Sequence, residues 1–210
     1  MSGEATSAHR VSTWNLANGL TAFRLVLVPV FAVLLVHDGG DRAGWRVAAF
    51  AAFAVASITD RFDGELARRR GLVTDVGTIA DPIADKALTG AALVGLSVLG
   101  ELAWWVTALV LAREVGVTLL RFVVIRHGVM PASRGGKVKT LLQGLAIGLY
   151  VLPLSGAAHT VAAVVMAVAV VVTVVTGADY VLRAVRLRRT SERTARKRAD
   201  REARARGLGR

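Results

Sequence analysis

"TDRFDGELARRRGLVTDVGTIADPIADKAL", Thr59 to Leu88, places five aspartates in a chain otherwise dominated by Ala, Val and Leu. A lone carboxylate is expensive in apolar surroundings, so a cluster of them demands counter-charge. Asp60 and Asp63 are spaced i, i+3, and Asp81 and Asp85 are spaced i, i+4. On helices, each pair projects from one face. A short turn between the two helices would bring the pairs together. Four carboxylates with no His or Cys in the stretch suit a hard cation, Mg2+ or Mn2+. Two such ions nearly balance the four charges, and two-metal sites suit in-line attack at phosphorus.

The intervening residues fit that chemistry. Gly64 follows Asp63 and Ala67 lies one turn on, which strips this helix face of side chains and lets a flat nucleotide approach the backbone. Arg68, one turn after Gly64, is placed to pair with a phosphate. Gly77 is read as a bend returning the chain towards the site, and Pro82 as a first-turn residue of the third helix. Asp75 is expected to be a solvated turn residue.

Outside this stretch the chain is strongly apolar. Its 210 residues have a mean hydropathy of +0.52, too high for an ordinary soluble domain. Windows of membrane-spanning length fall at about 20–37, 43–62, 83–100, 103–125, 138–155 and 158–182. The expected fold class is therefore all-α, a polytopic membrane protein built as a six-transmembrane-helix bundle. The expected organisation is an N-terminal segment 1–19 with an interfacial stretch, a six-helix domain 20–182 and a basic tail 183–210. The N-terminal residues lack the charged n-region and cleavage site of a signal peptide, so the first apolar segment is expected to be retained.

Charge sets the orientation. "HDGGDRAG", "GELA" and "SGAAH" are nearly free of Lys and Arg, whereas "ARRRG", "RHGVMPASRGGKVK" and the tail are rich in them. Both termini and the acidic cluster are thereby assigned to the cytoplasmic side of a plasma membrane. Trp14, Trp45, Trp104 and Trp105 fall near expected helix ends, in anchoring positions. Of the net charge of +12, the tail supplies +9, which suits anionic lipid surfaces. Without interleaved aromatics it gives no support for nucleic-acid binding. The absence of cysteine excludes disulfides, thiolate metal sites and a Cys nucleophile. His9, His37, His127 and His159 lie in termini or loops, none at ligand spacing to another.

Two cations stand out in the fourth segment. Arg113 and Arg121 are about two turns apart in an apolar helix, where unpaired charge needs an anion. Glu114 is discounted as a partner for Arg113, because i, i+1 side chains do not face each other on a helix. With Lys137 and Lys139 at the start of the fifth helix, these residues could line a pocket for a phosphate. Arg24, in the first helix, is read as tying the bundle to a carboxylate. Asn18 and Thr21 could cap that helix. The glycines of "LTGAALVGLSVLG" and "GGKVKTLLQGLAIG" are read as packing positions.

"DRFDGELARRRGLVTDVGTIADPIAD" resembles, without a departure, the D-x2-D-G-x2-A-R-x8-G-x3-D-x3-D signature of the CDP-alcohol phosphatidyltransferase family. That resemblance implies a membrane enzyme, commonly a homodimer, that displaces CMP from a CDP-linked lipid by the hydroxyl of an acceptor alcohol. It implies that Asp60, Asp63, Asp81 and Asp85 ligate two ions of Mg2+ or Mn2+, and that Asp85 also takes the acceptor proton. By the same resemblance Gly64, Arg68 and Thr74 contact the cytidine diphosphate, with Ala67, and Asn18 and Thr21 of the bordering first helix, at the CDP-diacylglycerol. "NLANGLTAFRLVLVP", "DPIADK", "AREVGVTLLR" and "GGKVKTLLQ" are similar to the branch whose acceptor is glycerol 3-phosphate, apart from Ala17, where that branch usually has proline. The acceptor phosphate then falls to Arg113, Arg121, Lys137 and Lys139.

Alternatives within the family take phosphatidylglycerol or an inositol phosphate as acceptor. A divalent-cation transporter would also carry intramembrane aspartates, but its path should continue across the bilayer. Here the outer halves of the six segments lack carboxylates apart from Glu101. A purely structural anchor has no need of the cluster.

Overall fold

A computed structural model describes the backbone of residues 16–70, 75–124 and 134–207, with side chains over 18–60, 83–120 and 135–187 and at Ala80. Among the described residues every regular element is a helix, with no strand: α1 (Leu16–Val36), α2 (Ala43–Arg70), α3 (Asp75–Val98), α4 (Trp104–Val124), α5 (Arg134–Val151) and α6 (Gly156–Gly207), with a short 3-10 turn at His37–Gly40. Two segments, Asn18–Gly40 and Gly156–Leu187, are long and apolar enough to cross a membrane. The chain divides into two compact units, Met1–Thr107 with Gly144–Ala162, and Ala108–Gln143 with Ala163–Arg210.

The core of the first unit follows helical periodicity. Thr21, Arg24, Phe31 and Leu35 form the buried stripe of α1, and Arg46, Ala49, Phe53 and Ala56 that of α2. The two helices run antiparallel through the turn at His37–Gly40, where Gly40 adopts φ +79° and a Cβ would meet Leu99 Cδ1 at 2.8 Å. Phe31 packs on Phe53 with ring centroids 5.7 Å apart. Seven residues further along each stripe, Arg24 meets Asp60. The register that pairs the two rings thus also pairs the two charges. α3 joins on the other side of α1, with Gly95 so close to Leu35 that a Cβ would stand 2.7 Å from Leu35 Cδ2. Gly148 likewise faces Phe50 at 3.2 Å, whereas Gly144 faces open space, so only some of the glycines read as packing positions serve as such.

At the far end of α2, buried Arg46 donates to both Glu101 oxygens and to the backbone carbonyls of Tyr150 and Val151. Those carbonyls end α5 and have no intrahelical partner, so Arg46 caps α5 while neutralising Glu101. Sequence reading missed this clamp, because its members are far apart along the chain.

Helix limits correct three expectations. α3 begins at Asp75, so Gly77 lies inside a helix and makes no bend, and Pro82 sits beyond the first turn. A proline past the first turn removes one backbone hydrogen bond, which a helix packed on neighbours can tolerate. Asn18 and Thr21 lie within α1, past its cap position. Apart from these three, the backbone after residue 182 continues as the same helix to Gly207, giving α6 a length of 52 residues.

Candidate active site

The signature is carried on α2 and α3, both of which pack on α1. Asp60, Asp63, Gly64, Ala67 and Arg68 lie in the last part of α2, with Asp60 continuing its buried stripe. Asp81 and Asp85 lie one turn apart on α3, next to the stripe of Ala84, Leu88 and Ala92 that is buried in the core. Thr74 lies outside the described residues, as do the side chains of Asp63, Gly64, Ala67, Arg68, Asp81 and Arg121.

Arg24 is fully buried and pairs with Asp60, whose side chain keeps 40% of its exposure. This is the carboxylate tie expected of Arg24. A carboxylate offers about four lone-pair positions, so an arginine contact is compatible with metal ligation by the same group. The all-oxygen donor set of Asp60, Asp63, Asp81 and Asp85 fits a hard divalent ion. Among the described residues no three carboxylates or imidazoles gather as a metal site. Of the four signature aspartates, only Asp60 and Asp85 have described side chains. Thr21 is buried on the same α1 stripe as Arg24, one turn before it.

The second unit holds a separate polar cluster. Arg113 on α4 donates from Nη1 to Glu114 Oε1 at 3.1 Å and from Nη2 to Thr176 Oγ1 of α6 at 3.2 Å. Lys139 of α5, 6% exposed, donates to the same Glu114 Oε1. The reading that Arg113 lacks a carboxylate partner is therefore corrected. The i, i+1 rule describes Cβ directions, and these two long side chains curl until their ends meet. Lys137, two residues from Lys139, points elsewhere and is exposed, as a helix requires. Gly177 admits Arg113, since a Cβ there would stand 3.1 Å from Arg113 Cγ. Arg113 Nε, Gln143 Oε1 and Thr173 Oγ1 are buried without a hydrogen-bond partner among the described residues. Native interiors rarely leave such atoms orphaned. Glu114 and Thr176 were missed in the sequence, the first through the neighbour rule and the second because a threonine in an apolar helix carries no signal by itself.

Residues 14–175 match the family model for CDP-alcohol phosphatidyltransferase. The chain belongs to the CDP-alcohol phosphatidyltransferase family. A Mycobacterium tuberculosis protein named probable phosphatidylglycerophosphate synthase is 60% identical over 179 residues, covering 85% of this chain and 86% of its own length. Bacillus subtilis CDP-diacylglycerol–glycerol-3-phosphate 3-phosphatidyltransferase is 35% identical over 180 residues, 80% of this chain and 93% of its own. The Escherichia coli enzyme of the same name is 38% identical over 141 residues, 64% and 75% of the two chains. The family match ends before the basic segment of α6; it includes the signature and Arg113, Glu114 and Lys139, and stops one residue short of Thr176.

Proposed function

We propose that this chain is a phosphatidylglycerophosphate synthase, transferring a phosphatidyl group from CDP-diacylglycerol to sn-glycerol 3-phosphate with release of CMP. The observation that carries the acceptor is the pair of cations, Arg113 of α4 and Lys139 of α5, whose donors converge on one carboxylate oxygen. The names of the Mycobacterium, Bacillus and Escherichia relatives support the same acceptor. The six helices span a plasma membrane with both termini and the signature on the cytoplasmic side. The outward row of Val161, Val164, Val168, Val171 and Val175 on α6 supports lipid contact.

Asp60, Asp63, Asp81 and Asp85 would hold two ions of Mg2+ or Mn2+. When bound, these ions supply neutralisation of the diphosphate and polarisation of its P–O bonds. Arg68 pairs with the diphosphate, while Gly64 and Ala67 leave room for the nucleotide, with Thr74, Asn18 and Thr21 as further contacts to the CDP lipid. Arg113 and Lys139 hold the acceptor phosphate, joined by Arg121 and Lys137. Asp85 accepts the proton of the glycerol 1-hydroxyl as its oxygen forms a bond to the lipid-side phosphorus. The bond from that phosphorus to the bridging oxygen breaks, and CMP departs with the electron pair.

Asp85→Asn is expected to lower CMP release at least a hundredfold, the scale of a lost general base, while CDP-diacylglycerol still binds. EDTA should abolish turnover, and Mg2+ or Mn2+ should restore it. Thin-layer chromatography of the lipid product with glycerol 3-phosphate, phosphatidylglycerol or inositol phosphate as acceptor checks the assignment. Full turnover in EDTA removes the metal site, and product from either other acceptor alone removes the glycerol 3-phosphate reading.

A further inference from the structure

Two cations of the second unit share one carboxylate oxygen. Arg113 and Lys139 both reach the carboxylate of Glu114, and all three side chains are less than a fifth exposed. Both cations direct a donor at one atom, Glu114 Oε1, and neither uses Oε2 in these contacts. Convergence of donors from two helices on one oxygen is the arrangement that a phosphoryl oxygen also requires. Glu114 Oε1 therefore occupies the point where an oxygen of the acceptor phosphate would sit.

We propose that Glu114 is a resident anion of the acceptor site: it holds the donors of Arg113 and Lys139 together between turnovers, yields them to glycerol 3-phosphate, and retakes them as product leaves. The inference rests on the reading that these cations bind the acceptor phosphate. Physical need exists at both ends of the cycle. Without a bound anion, two buried cations would stand close together, and the charge of Glu114 offsets their repulsion. After transfer, the product keeps the phosphate that the acceptor brought, so every contact that tightens acceptor binding also delays departure. An internal carboxylate competing for the same N–H groups weakens both equally. Arg113 stays aimed meanwhile, because Thr176 holds Nη2 and Gly177 gives its stem room.

The direction of the effect separates this role from plain structural support. A scaffold residue, once removed, lets the cations drift and raises the KM for glycerol 3-phosphate. A competitor, once removed, lowers it. Glu114→Gln is expected to lower both the KM for glycerol 3-phosphate and the inhibition constant of inorganic phosphate by at least about threefold, since a carboxylate competing for buried donors is worth no less than an exposed ion pair. The KM for CDP-diacylglycerol should be unchanged and kcat should not rise. Glu114→Asp, which keeps the charge but shortens its reach, should move the same constants in the same direction by less. In the unsubstituted chain labelled with 13C-glutamate, inorganic phosphate should shift a carboxylate band in the infrared difference spectrum, as Glu114 gives up its cations. A rise or no change in the glycerol 3-phosphate KM of either variant, or no band shift, overturns the proposal. Arg113→Gln and Lys139→Gln test the underlying reading separately. If they leave the glycerol 3-phosphate dependence untouched, the acceptor assignment fails. If they raise it and the Glu114 variants do too, only the resident-anion role fails.

Discussion

Because Arg24 is fully buried whereas Asp60 keeps 40% of its side-chain exposure, the two ends of their ion pair are not equivalent. Replacing Asp60 by Asn removes an anionic partner from a guanidinium that water cannot reach, and a hydrogen bond to a charged group is worth about 1.5–3 kcal/mol. Replacing Arg24 by Met fills similar space with apolar atoms and leaves a carboxylate that water can solvate, at about 1 kcal/mol or less. Asp60→Asn should therefore lower the detergent-solubilised unfolding temperature clearly more than Arg24→Met. Equal shifts would mean that Asp60 is solvated independently of Arg24. The asymmetry also governs how activity data are read: loss of turnover in an Asp60 variant mixes a structural with a chemical effect. At this scale the sequence disclosed the charges but not the partners. Arg24 and Asp60 are 36 residues apart, and only the antiparallel register set by the stripes of α1 and α2 brings them together. Glu114 was legible as an acid beside a base, yet a rule about Cβ directions concealed that their ends could meet.

Between elements, close approach decides more than composition does. α6 comes near Arg113 at Gly177, where a Cβ would stand 3.1 Å from Arg113 Cγ, and the guanidinium beyond is held by Glu114 and Thr176. The side chain cannot withdraw without giving up one of those bonds. Hydrogen bonds to charged groups are worth about 1.5–3 kcal/mol, so Gly177→Val should raise the KM for glycerol 3-phosphate about tenfold. The KM for CDP-diacylglycerol should stay near its original value. An unaltered acceptor KM would mean that the placement of Arg113 does not govern acceptor binding. Helix existence was well marked by apolar periodicity, and each apolar window overlaps one of α1 to α6. Helix starts were marked less well. Proline favours the first turn, so Pro82 drew the expected start of α3 towards itself, whereas the helix begins at Asp75 and continues through it. Local preference is worth little against packing, and the Gly95 contact with Leu35 belongs to packing.

The reach of α6 sets a question for the molecule as a whole. At about 1.5 Å per residue a helix of 52 residues is far longer than the hydrocarbon core of a bilayer, which is about 30 Å thick. Its apolar part, Gly156–Leu187, already suffices to cross with some tilt. The remainder, 188–207, holds nine Lys and Arg against three acids, half of the chain's net charge of +12, and lies beyond residue 175, where the family match ends. A helix with that charge at the cytoplasmic face is attracted to anionic headgroups, by about 1 kcal/mol per basic residue near the surface. Truncation after Thr190 is therefore expected to leave turnover in neutral detergent micelles within about twofold of the full chain, as surface changes away from a site usually do. It should abolish the preference for mixed micelles containing anionic lipid, a preference that in the full chain should itself fade as salt shortens the Debye length. Rates in neutral and anionic micelles, each at low and high salt, provide the comparison. Loss of turnover in neutral micelles would place the basic helix within the catalytic machinery, and an unchanged, salt-insensitive preference would place the lipid contact on α1 to α5 instead.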